Sequence, residues 1–368
     1  MNLPPHLLDQ WLAKYAFSET PLPYNLASST GPCLTVAEVL ALGGGCDVGD
    51  VVLSYGPPQG HRKLREAIAD FYGVDPDWVV VTTGASEALS ILFCLASAPG
   101  AEIALPNLQF PAFDPLAGAW GLKARHYALE KEDGFSQDAE KVMSAVGTKC
   151  ALAIVNTPHN PTGSVMARGE IETLARELKS RGAPLIVDEI YHPLYFSTHF
   201  ASAATIDNVI VLGDMSKVFS LPGIRTGWLI DSDSERRKRI IDARSYFSIS
   251  GSPLLEAISA HALRNRDHII ERLKVVTLEN LGHLTEFMTR TSNTLGWVAP
   301  QGGTMAFPWF KDDRDARPFC EAAVKAGVLI APGDCFRAPS HMRLGFGAQA
   351  KGYETALSIL SEVLCDVS

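Results

Sequence analysis

The amino-acid sequence predicts an α/β fold in which helices cover both faces of a mostly parallel, twisted sheet. Short apolar segments that resemble buried strands alternate with helical patterns through the middle of the chain. This alternation is typical of parallel sheets, because parallel neighbours are joined by crossover helices. At 368 residues the chain is also long enough to bury the cores of two domains.

Each predicted element follows from a local pattern. Residues Leu7 to Tyr15 carry apolar side chains at helical spacing and predict an N-terminal helix. A second helical pattern runs from Gly251 to about Arg290, and a last helix is expected at 351–363. The strands predicted from apolar runs lie at 79–81, 103–105, 124–129, 151–156, 185–190, 209–212, 304–309, 328–331 and 342–346.

The order of these elements predicts two domains. We expect residues 43–265 to form the large domain, because the regular alternation of strands and helices lies there. The N-terminal segment, 1–42, and the C-terminal region, 266–368, are expected to form the small domain together.

Composition excludes several classes of protein. The net charge of -9 is spread along the chain without a basic block, so no nucleic-acid partner is predicted. No apolar stretch approaches the ~18 residues of a membrane span, and the N-terminus lacks the pattern of a signal peptide. The seven cysteines are scattered and form no C-x-x-C pair, so neither a metal site nor a disulfide framework is predicted. We therefore expect a cytoplasmic protein with reduced thiols.

One segment presents a single lysine at the end of a predicted strand. Lys217 follows the apolar run 209–212, and Arg225 comes eight residues later. A lysine on such a turn is a candidate for Schiff-base chemistry if burial or a cationic neighbour lowers the pKa of its amine. The planar guanidinium of Arg225 also suits a phosphate. The alternative is a surface lysine beside a paired arginine.

Three more strand ends carry residues that could bind a ligand. Gly84, Ala85 and Ser86 open a helix, where backbone N–H groups bind anions, although Ser86 could instead cap the helix. Asn160 stands in a loop with two X-Pro bonds, which is otherwise an ordinary turn. Asp188 ends an apolar strand, where a buried carboxylate needs a cation such as a protonated ring nitrogen or a lysine.

These segments, in this order, resemble those of class I/II aminotransferases, which are fold-type-I enzymes that use pyridoxal 5'-phosphate (PLP). The pattern S-K-x-x-x-x-P-G-x-R-x-G-W and the elements T-G-A-S-E-A-L and N-P-T-G carry the resemblance, which extends from about Asn25 to the C-terminus. It implies a large domain with a mostly parallel sheet and a smaller α/β domain built from both chain ends. It also implies PLP as the cofactor and a homodimer with shared sites.

The resemblance also implies a role for each cofactor-binding residue. Lys217 would form the Schiff base, Asp188 would pair with the ring nitrogen, and Asn160 and Tyr191 would bind the ring oxygen. Phe110 would stack on the ring. The residues expected around the phosphate are Gly84, Ala85, Ser86, Ser216 and Arg225, with Tyr55 reaching the phosphate of the neighbouring subunit.

The substrate residues follow from the same resemblance. Arg343 would clamp the substrate α-carboxylate in a bidentate contact, with Asn160, Ser28 and Ser29 nearby. An arginine on an exposed edge strand is the alternative for Arg343. One position departs from the family: Asp214 stands three residues before the lysine, where a serine or threonine usually touches the phosphate. A carboxylate there repels a phosphate dianion unless it turns away or carries a proton.

Two reaction classes are compatible with these residues. The first is an aminotransferase acting on an α-amino acid through Schiff-base exchange at Lys217. The second is a PLP-dependent cyclase or lyase that performs β- or γ-elimination or replacement. It is suggested because residues 8–12 and 27–31 resemble the subgroup of capreomycidine synthase, which cyclises a hydroxylated arginine. A guanidinium-bearing substrate needs a carboxylate, for which the candidates are Asp9, Asp47 and Asp334.

A third class is a sensor that keeps the fold without turnover. The simultaneous presence of Lys217, Asp188 and Arg343 argues against this class, as does the lack of an extra region for a fused partner domain.

Overall fold

A computed structural model describes residues 3–196 and 198–366 and has the predicted α/β architecture. The helices of this part are α1 (Leu7–Tyr15), α2 (Val36–Ala41), α3 (Arg62–Tyr72), α4 (Ala85–Ala96), α5 (Phe113–Ala119), α6 (Ala139–Ser144), α7 (Arg168–Ser180), α8 (Ser234–Phe247), α9 (Pro253–Arg264), α10 (Arg266–Arg290), α11 (Arg317–Lys325) and α12 (Tyr353–Asp366). The strands are β1 (Tyr24–Asn25), β2 (Val79–Thr82), β3 (Glu102–Pro106), β4 (Lys123–Tyr127), β5 (Cys150–Asn156), β6 (Leu185–Asp188), β7 (Val209–Asp214), β8 (Gly227–Asp231), β9 (Leu295–Gly296), β10 (Met305–Ala306), β11 (Trp309–Phe310), β12 (Val328–Leu329), β13 (Ala331–Pro332) and β14 (Met342–Gly345).

Seven strands form the central sheet, in the order β2-β8-β7-β6-β5-β3-β4. Strands β4, β3, β5, β6 and β7 are parallel, and only β8 runs against its two neighbours. The fold class predicted from the alternation of elements is therefore confirmed. Because the parallel strands point the same way, β3, β5, β6 and β7 all end at one edge of the sheet, where ligands bind in open α/β sheets.

Apolar cores lie on both faces of this sheet. Alternate residues of each strand belong to different cores: in β6, Leu185 and Val187 pack on one face, and Ile186 packs on the other. The second core also contains the buried face of α4, including Ala88, Leu89 and Leu92. The burial of both faces explains why these strands are continuous apolar runs in the sequence rather than alternating ones.

The two chain ends meet in the smaller sheets. Strand β1, near the N-terminus, pairs in parallel with β12, near the C-terminus. Strand β14 lies between β10 and β13 in a three-stranded sheet. Helix α1 packs on the same region, where the Trp11 indole donates a 2.9 Å hydrogen bond to the carbonyl of Ile330. The small α/β unit built from both chain ends agrees with the predicted fold class.

Several predicted boundaries were wrong for identifiable reasons. The strand predicted at 185–190 ends at Asp188, because the backbone turns there and the N–H of Ile190 is donated to the Asp188 side chain. The run at 209–212 continues to Asp214, and its antiparallel partner β8 was not predicted. The long helical pattern after Gly251 is two helices interrupted at Asn265. The strand predicted at 304–309 is two short strands, β10 and β11.

In the part of the chain that the structure describes, every helix is too short or too polar to cross a membrane.

The contact between β8 and the start of α4 predicts a sharp difference between two glycines. A Cβ on Gly227 would lie 2.6 Å from the backbone nitrogen of Ala85 and 2.7 Å from the Cα of Gly84, whereas a Cβ on Gly282 of α10 meets nothing within 4 Å. We expect Gly227→Ala to lower the free energy of unfolding by about 1–3 kcal/mol or more, since rigid backbone must move. Gly282→Ala, the control, should raise it by about 0.5–1 kcal/mol. Urea unfolding of both variants measures this, and equal midpoints would contradict the described packing.

Candidate active site

The residues at the ends of β2, β5, β6 and β7 converge at the carboxyl edge of the sheet. Strand β6 ends in Asp188, and β7 is followed by the turn that carries Lys217. Strand β5 ends in Asn156 and leads into the loop of Asn160. From the smaller sheet, β14 presents Arg343 to the same place. Side chains that are distant in sequence thus share one site.

Lys217 is held from the N-terminal segment of its own chain. Its Nζ donates a 2.9 Å hydrogen bond to the hydroxyl of Ser29, which is buried. Burial lowers the pKa of the Lys217 amine, while the nearby Asp214 carboxylate opposes this effect. A lowered pKa leaves more of the amine in the neutral, nucleophilic form, as Schiff-base chemistry requires.

Asp188 is a buried carboxyl group that forms no ion pair within the described residues. Burial raises its pKa to about 7, and the hydrogen bond from the Ile190 N–H partly offsets this rise. Such a group is stabilised as a carboxylate only when a cation is placed beside it. A protonated ring nitrogen would supply that cation.

Tyr191 contributes a buried hydroxyl group without a hydrogen-bond partner in the part of the chain described. Its surroundings include the Ser29 side chain, the positive charge of Arg343 and the carboxyl of Asp188. Burial raises the pKa of the phenol, so it stays protonated and able to donate. An unsatisfied donor of this kind costs free energy unless a ligand accepts its hydrogen bond.

Asn156, at the end of β5, fixes the backbone of Asn160 in the loop that follows. Asn156 accepts the backbone N–H of Asn160 at 2.7 Å and donates its own amide to the carbonyl of Asp188 at 3.0 Å. Both Thr157-Pro158 and Asn160-Pro161 are cis peptide bonds. Asn156 was not predicted as a site residue, although it ends a strand four residues before Asn160.

Arg343 is a buried arginine whose charge has no carboxylate partner within residues 3–196 and 198–366. It donates from Nη1 to Asn160 Oδ1 at 2.9 Å and from Nη2 to the carbonyl of Ala27 at 2.8 Å. Its Nε, also buried, has no hydrogen-bond partner there. Strand β14 is the central strand of its sheet, so the alternative of a surface arginine on an edge strand is wrong. A buried, unpaired guanidinium requires an anionic ligand.

The start of α4 and Arg225 form an anion cradle. Gly84 precedes α4 with a φ of 72°, and no side chain accepts a hydrogen bond from the first N–H groups of the helix. A Cβ on Gly84 would lie 2.6 Å from Nη2 of Arg225, so only glycine lets the guanidinium approach so closely. Arg225 also donates to the hydroxyl of Ser216 at 3.4 Å. The helix dipole and the guanidinium both favour a phosphate here.

Phe110 follows β3 and lies beside the N-terminal segment of its own chain. The centroid of the His6 ring is 6.2 Å from that of Phe110, and the centroid of the Phe113 ring is 5.8 Å from it. The start of α1 therefore lies near Phe110, the residue expected to stack on the cofactor ring.

Four of the predicted residues have other surroundings. Ser28 shares a 2.9 Å hydrogen bond with the hydroxyl of Thr30. Asp334 forms two hydrogen bonds with Arg317, at 2.7 and 2.8 Å, and is already neutralised. Asp9 and Asp47 are exposed, so none of the three carboxylates proposed for a guanidinium substrate is a free, buried partner.

Tyr55 is 81% exposed on the single chain. It stands in a surface segment with Leu53, opposite Ser250 and Ser252. The chain alone therefore does not bring Tyr55 to the cradle.

The arrangement fits PLP on three counts. The cradle of Gly84, Ala85, Ser86 and Arg225 has the charge and the free N–H groups that suit a phosphate. The buried hydroxyl of Tyr191 and the unpaired carboxyl of Asp188 match a ring oxygen and a protonated ring nitrogen. Lys217 lies among these groups with an amine of lowered pKa.

Comparison with known proteins agrees with this geometry. The sequence model of aminotransferase class I and II matches residues 25–360. Capreomycidine synthase of Streptomyces vinaceus is 30% identical over 371 residues, which cover 98% of this chain and 94% of that protein.

Two solved structures have the same fold over their whole length. A PLP-dependent aminotransferase from Streptococcus suis 89-1591 superposes with a TM-score of 0.91 at 25% identity and covers 100% of this chain and 99% of the other. The PLP-dependent cyclase OrfR superposes with a TM-score of 0.88 at 26% identity, with the same coverage of 100% and 99%. The match of the family model, together with a site that fits the cofactor, shows that this chain belongs to the class I and II aminotransferase family of PLP-dependent enzymes.

Proposed function

We propose that this enzyme is an aminotransferase that acts on an α-amino acid through Lys217. The observation that carries the proposal is the buried, unpaired guanidinium of Arg343, whose charge is close enough to influence the Lys217 amine. An α-amino acid offers a carboxylate for Arg343 and an amine for exchange with Lys217. Since Asn160 touches Arg343, the same amide could contact both the substrate carboxylate and the cofactor.

Each side chain has a distinct task in this proposal. When bound, PLP supplies an electron sink for the negative charge that develops on the substrate α-carbon. Lys217 removes and returns the proton at that carbon, and Ser29 orients its Nζ. Asp188, as a carboxylate, stabilises positive charge on the ring nitrogen. Gly84, Ala85, Ser86, Ser216 and Arg225 hold the phosphate, with Phe110 against the ring and Ser28 beside the substrate.

The second candidate is a cyclase or lyase that retains the amino nitrogen, for example on a hydroxylated arginine. It is favoured by the similarity to capreomycidine synthase, which extends over 98% of this chain. This similarity therefore includes residues before position 25, which the family model does not match. The scaffold does not discriminate between the two, because both reactions begin with loss of the α-proton.

We further infer a cytoplasmic homodimer with a large domain at 43–265 and a small domain made of 1–42 and 266–368. Five apolar side chains of the large domain are strongly exposed, which is typical of a surface that another chain covers. They are Val52, Leu53, Tyr55, Tyr246 and Ile249. In such a dimer Tyr55 reaches the phosphate of the partner.

A half-reaction distinguishes the two candidate functions. The PLP-loaded enzyme is mixed with a panel of amino acids, including hydroxylated arginines, in the absence of a keto acid. For an aminotransferase we expect pyridoxamine phosphate and a 2-oxo acid in equal amounts, because the nitrogen stays on the cofactor. Products that keep the amino nitrogen or lose water, found by mass spectrometry without pyridoxamine phosphate, would instead establish the cyclase or lyase.

Replacement of Lys217 by alanine tests the Schiff-base assignment. Borohydride reduction of the wild-type enzyme should fix PLP covalently to the peptide that contains Lys217, and Lys217→Ala should carry no fixed PLP, since the amine is gone. The exposed Lys325→Ala serves as control and should be labelled like the wild type. Intact-protein mass spectrometry reads the label, and a labelled Lys217→Ala protein rules the assignment out.

The contribution of Tyr55 across the dimer is tested by removing one oxygen atom. We expect Tyr55→Phe to weaken PLP binding by about 10- to 100-fold, because a hydrogen bond to a charged group contributes about 1.5–3 kcal/mol. Tyr246→Phe, on another strongly exposed tyrosine, is the matched control and should bind PLP normally. Fluorescence titration of the apoproteins gives the dissociation constants, with sedimentation to establish the dimer. An unchanged constant for Tyr55→Phe argues against a shared site.

A further inference from the structure

We propose that Asp214 binds the cofactor phosphate as a neutral carboxylic acid, donating its proton in a hydrogen bond to a phosphate oxygen. The proposal rests on PLP as the cofactor but not on which reaction follows. Its consequence is that binding of the phosphate group depends on pH through one carboxyl proton.

The position of Asp214 in the sheet places it beside the phosphate cradle. Asp214 is the last residue of β7 and pairs with Gly227 of β8. Gly227 in turn lies against the backbone of Gly84 and Ala85, where a Cβ would collide with the start of α4. Asp214 is thus one strand away from the helix N-terminus that receives the phosphate.

The strand register also determines which face Asp214 occupies. Asp188 pairs with Leu212, two residues before Asp214. Because side chains alternate along a strand, Leu212 and Asp214 share a face with Asp188, and Leu212 packs in the core that contains α4. Both carboxyl groups therefore lie on the α4 side of the sheet, near the end where the helix begins.

The contacts of Asp214 leave one oxygen for a proton. Its Oδ1 accepts the backbone N–H of Ser216 at 2.8 Å, which fixes the turn that leads to Lys217. The hydroxyl of Ser216 accepts from Arg225, which belongs to the cradle. The carboxyl group of Asp214 thus accepts hydrogen bonds within the turn from both the backbone and the side chain of Ser216, and we assign the proton to the oxygen that is not held by the Ser216 N–H.

Charged and titratable groups face Asp214 from several elements. Lys217 in the turn and Arg225 after β7 are positive, whereas Asp188 at the end of β6 is negative. The phenols of Tyr72 on α3 and Tyr191 after β6 are protonated. Asp214 is 7% exposed, and this burial raises the pKa of its carboxyl group, an effect that Lys217 opposes most strongly.

A bound phosphate changes this balance in favour of the protonated form. The dianion competes for the positive charge of Arg225 and adds negative charge beside the carboxyl group, so the pKa of Asp214 rises on binding. The complex then holds one proton more than the free site. By linkage, raising the pH weakens PLP binding, by up to about tenfold per pH unit between the free and the bound pKa of Asp214.

The test compares the wild type with Asp214→Asn in the full-length apoprotein. The asparagine keeps the size of the side chain and donates an N–H at every pH. PLP dissociation constants are measured by fluorescence titration from about pH 6 to about pH 9, and the ratio of wild type to variant is followed. We expect the ratio of the wild-type dissociation constant to that of the variant to rise with pH, by up to about tenfold per pH unit. Other effects of pH on PLP binding are common to both proteins and cancel in this ratio.

Pyridoxal, which lacks the phosphate, is the matched ligand. With pyridoxal the ratio should not change with pH. A constant ratio with PLP overturns the proposal, and so does an equal slope with both ligands, because Asp214 would then act on Lys217 rather than on the phosphate.

Should Asp214→Asn fail to fold, as judged by circular dichroism, Asp214→Ser takes its place. Serine also offers a neutral donor and should abolish the same pH dependence. None of these measurements requires turnover, so their outcome is independent of whether the enzyme is an aminotransferase or a cyclase.

Discussion

The burial of charge at the edge of an apolar sheet is the constraint on which this active site depends. Arg343, Asp188 and Asp214 are buried and Lys217 is half-buried, and each is only partly compensated by the protein itself. Buried charges are costly unless they are paired, so the site is most stable when a ligand completes the pairing. A cofactor with a cationic ring and an anionic phosphate, together with a carboxylate substrate, provides the missing partners. The same imbalance that costs stability prepares the site for binding.

The fold and the family could be predicted from the sequence because their signals are local. The apolar runs that precede Gly84, Asp188 and Lys217 indicate strand ends independently of the rest of the sequence. In a parallel sheet the carboxyl ends of the strands lie at one edge, so these residues come together. The antiparallel strand β8, which contains the apolar residues Trp228 to Ile230, was not predicted. Its position between β2 and β7 is a tertiary property that no local pattern reports.

Other parts of the site could not be predicted because they depend on contacts between distant segments. Ser29 was predicted among the substrate residues, but the hydrogen bond that its hydroxyl accepts from Lys217, nearly two hundred residues away, at a distance of 2.9 Å, was not predicted. Asp334 was a reasonable carboxylate for a guanidinium until the fold placed Arg317 beside it. The protonation of Asp214 likewise depends on burial and on its neighbours in the adjacent strands, which the sequence does not reveal.

The carbonyl of Ala27, which holds Arg343 across 316 positions of sequence, has a consequence for the order of folding. The cradle and the lysine turn belong to one sheet between residues 79 and 231, so they can form while the C-terminal region is still being synthesised. The carboxylate clamp cannot form then, because β14 has to join both β13 and the N-terminal segment. Contacts of such long sequence separation form late. The phosphate cradle and the lysine turn can therefore form before the carboxylate clamp does.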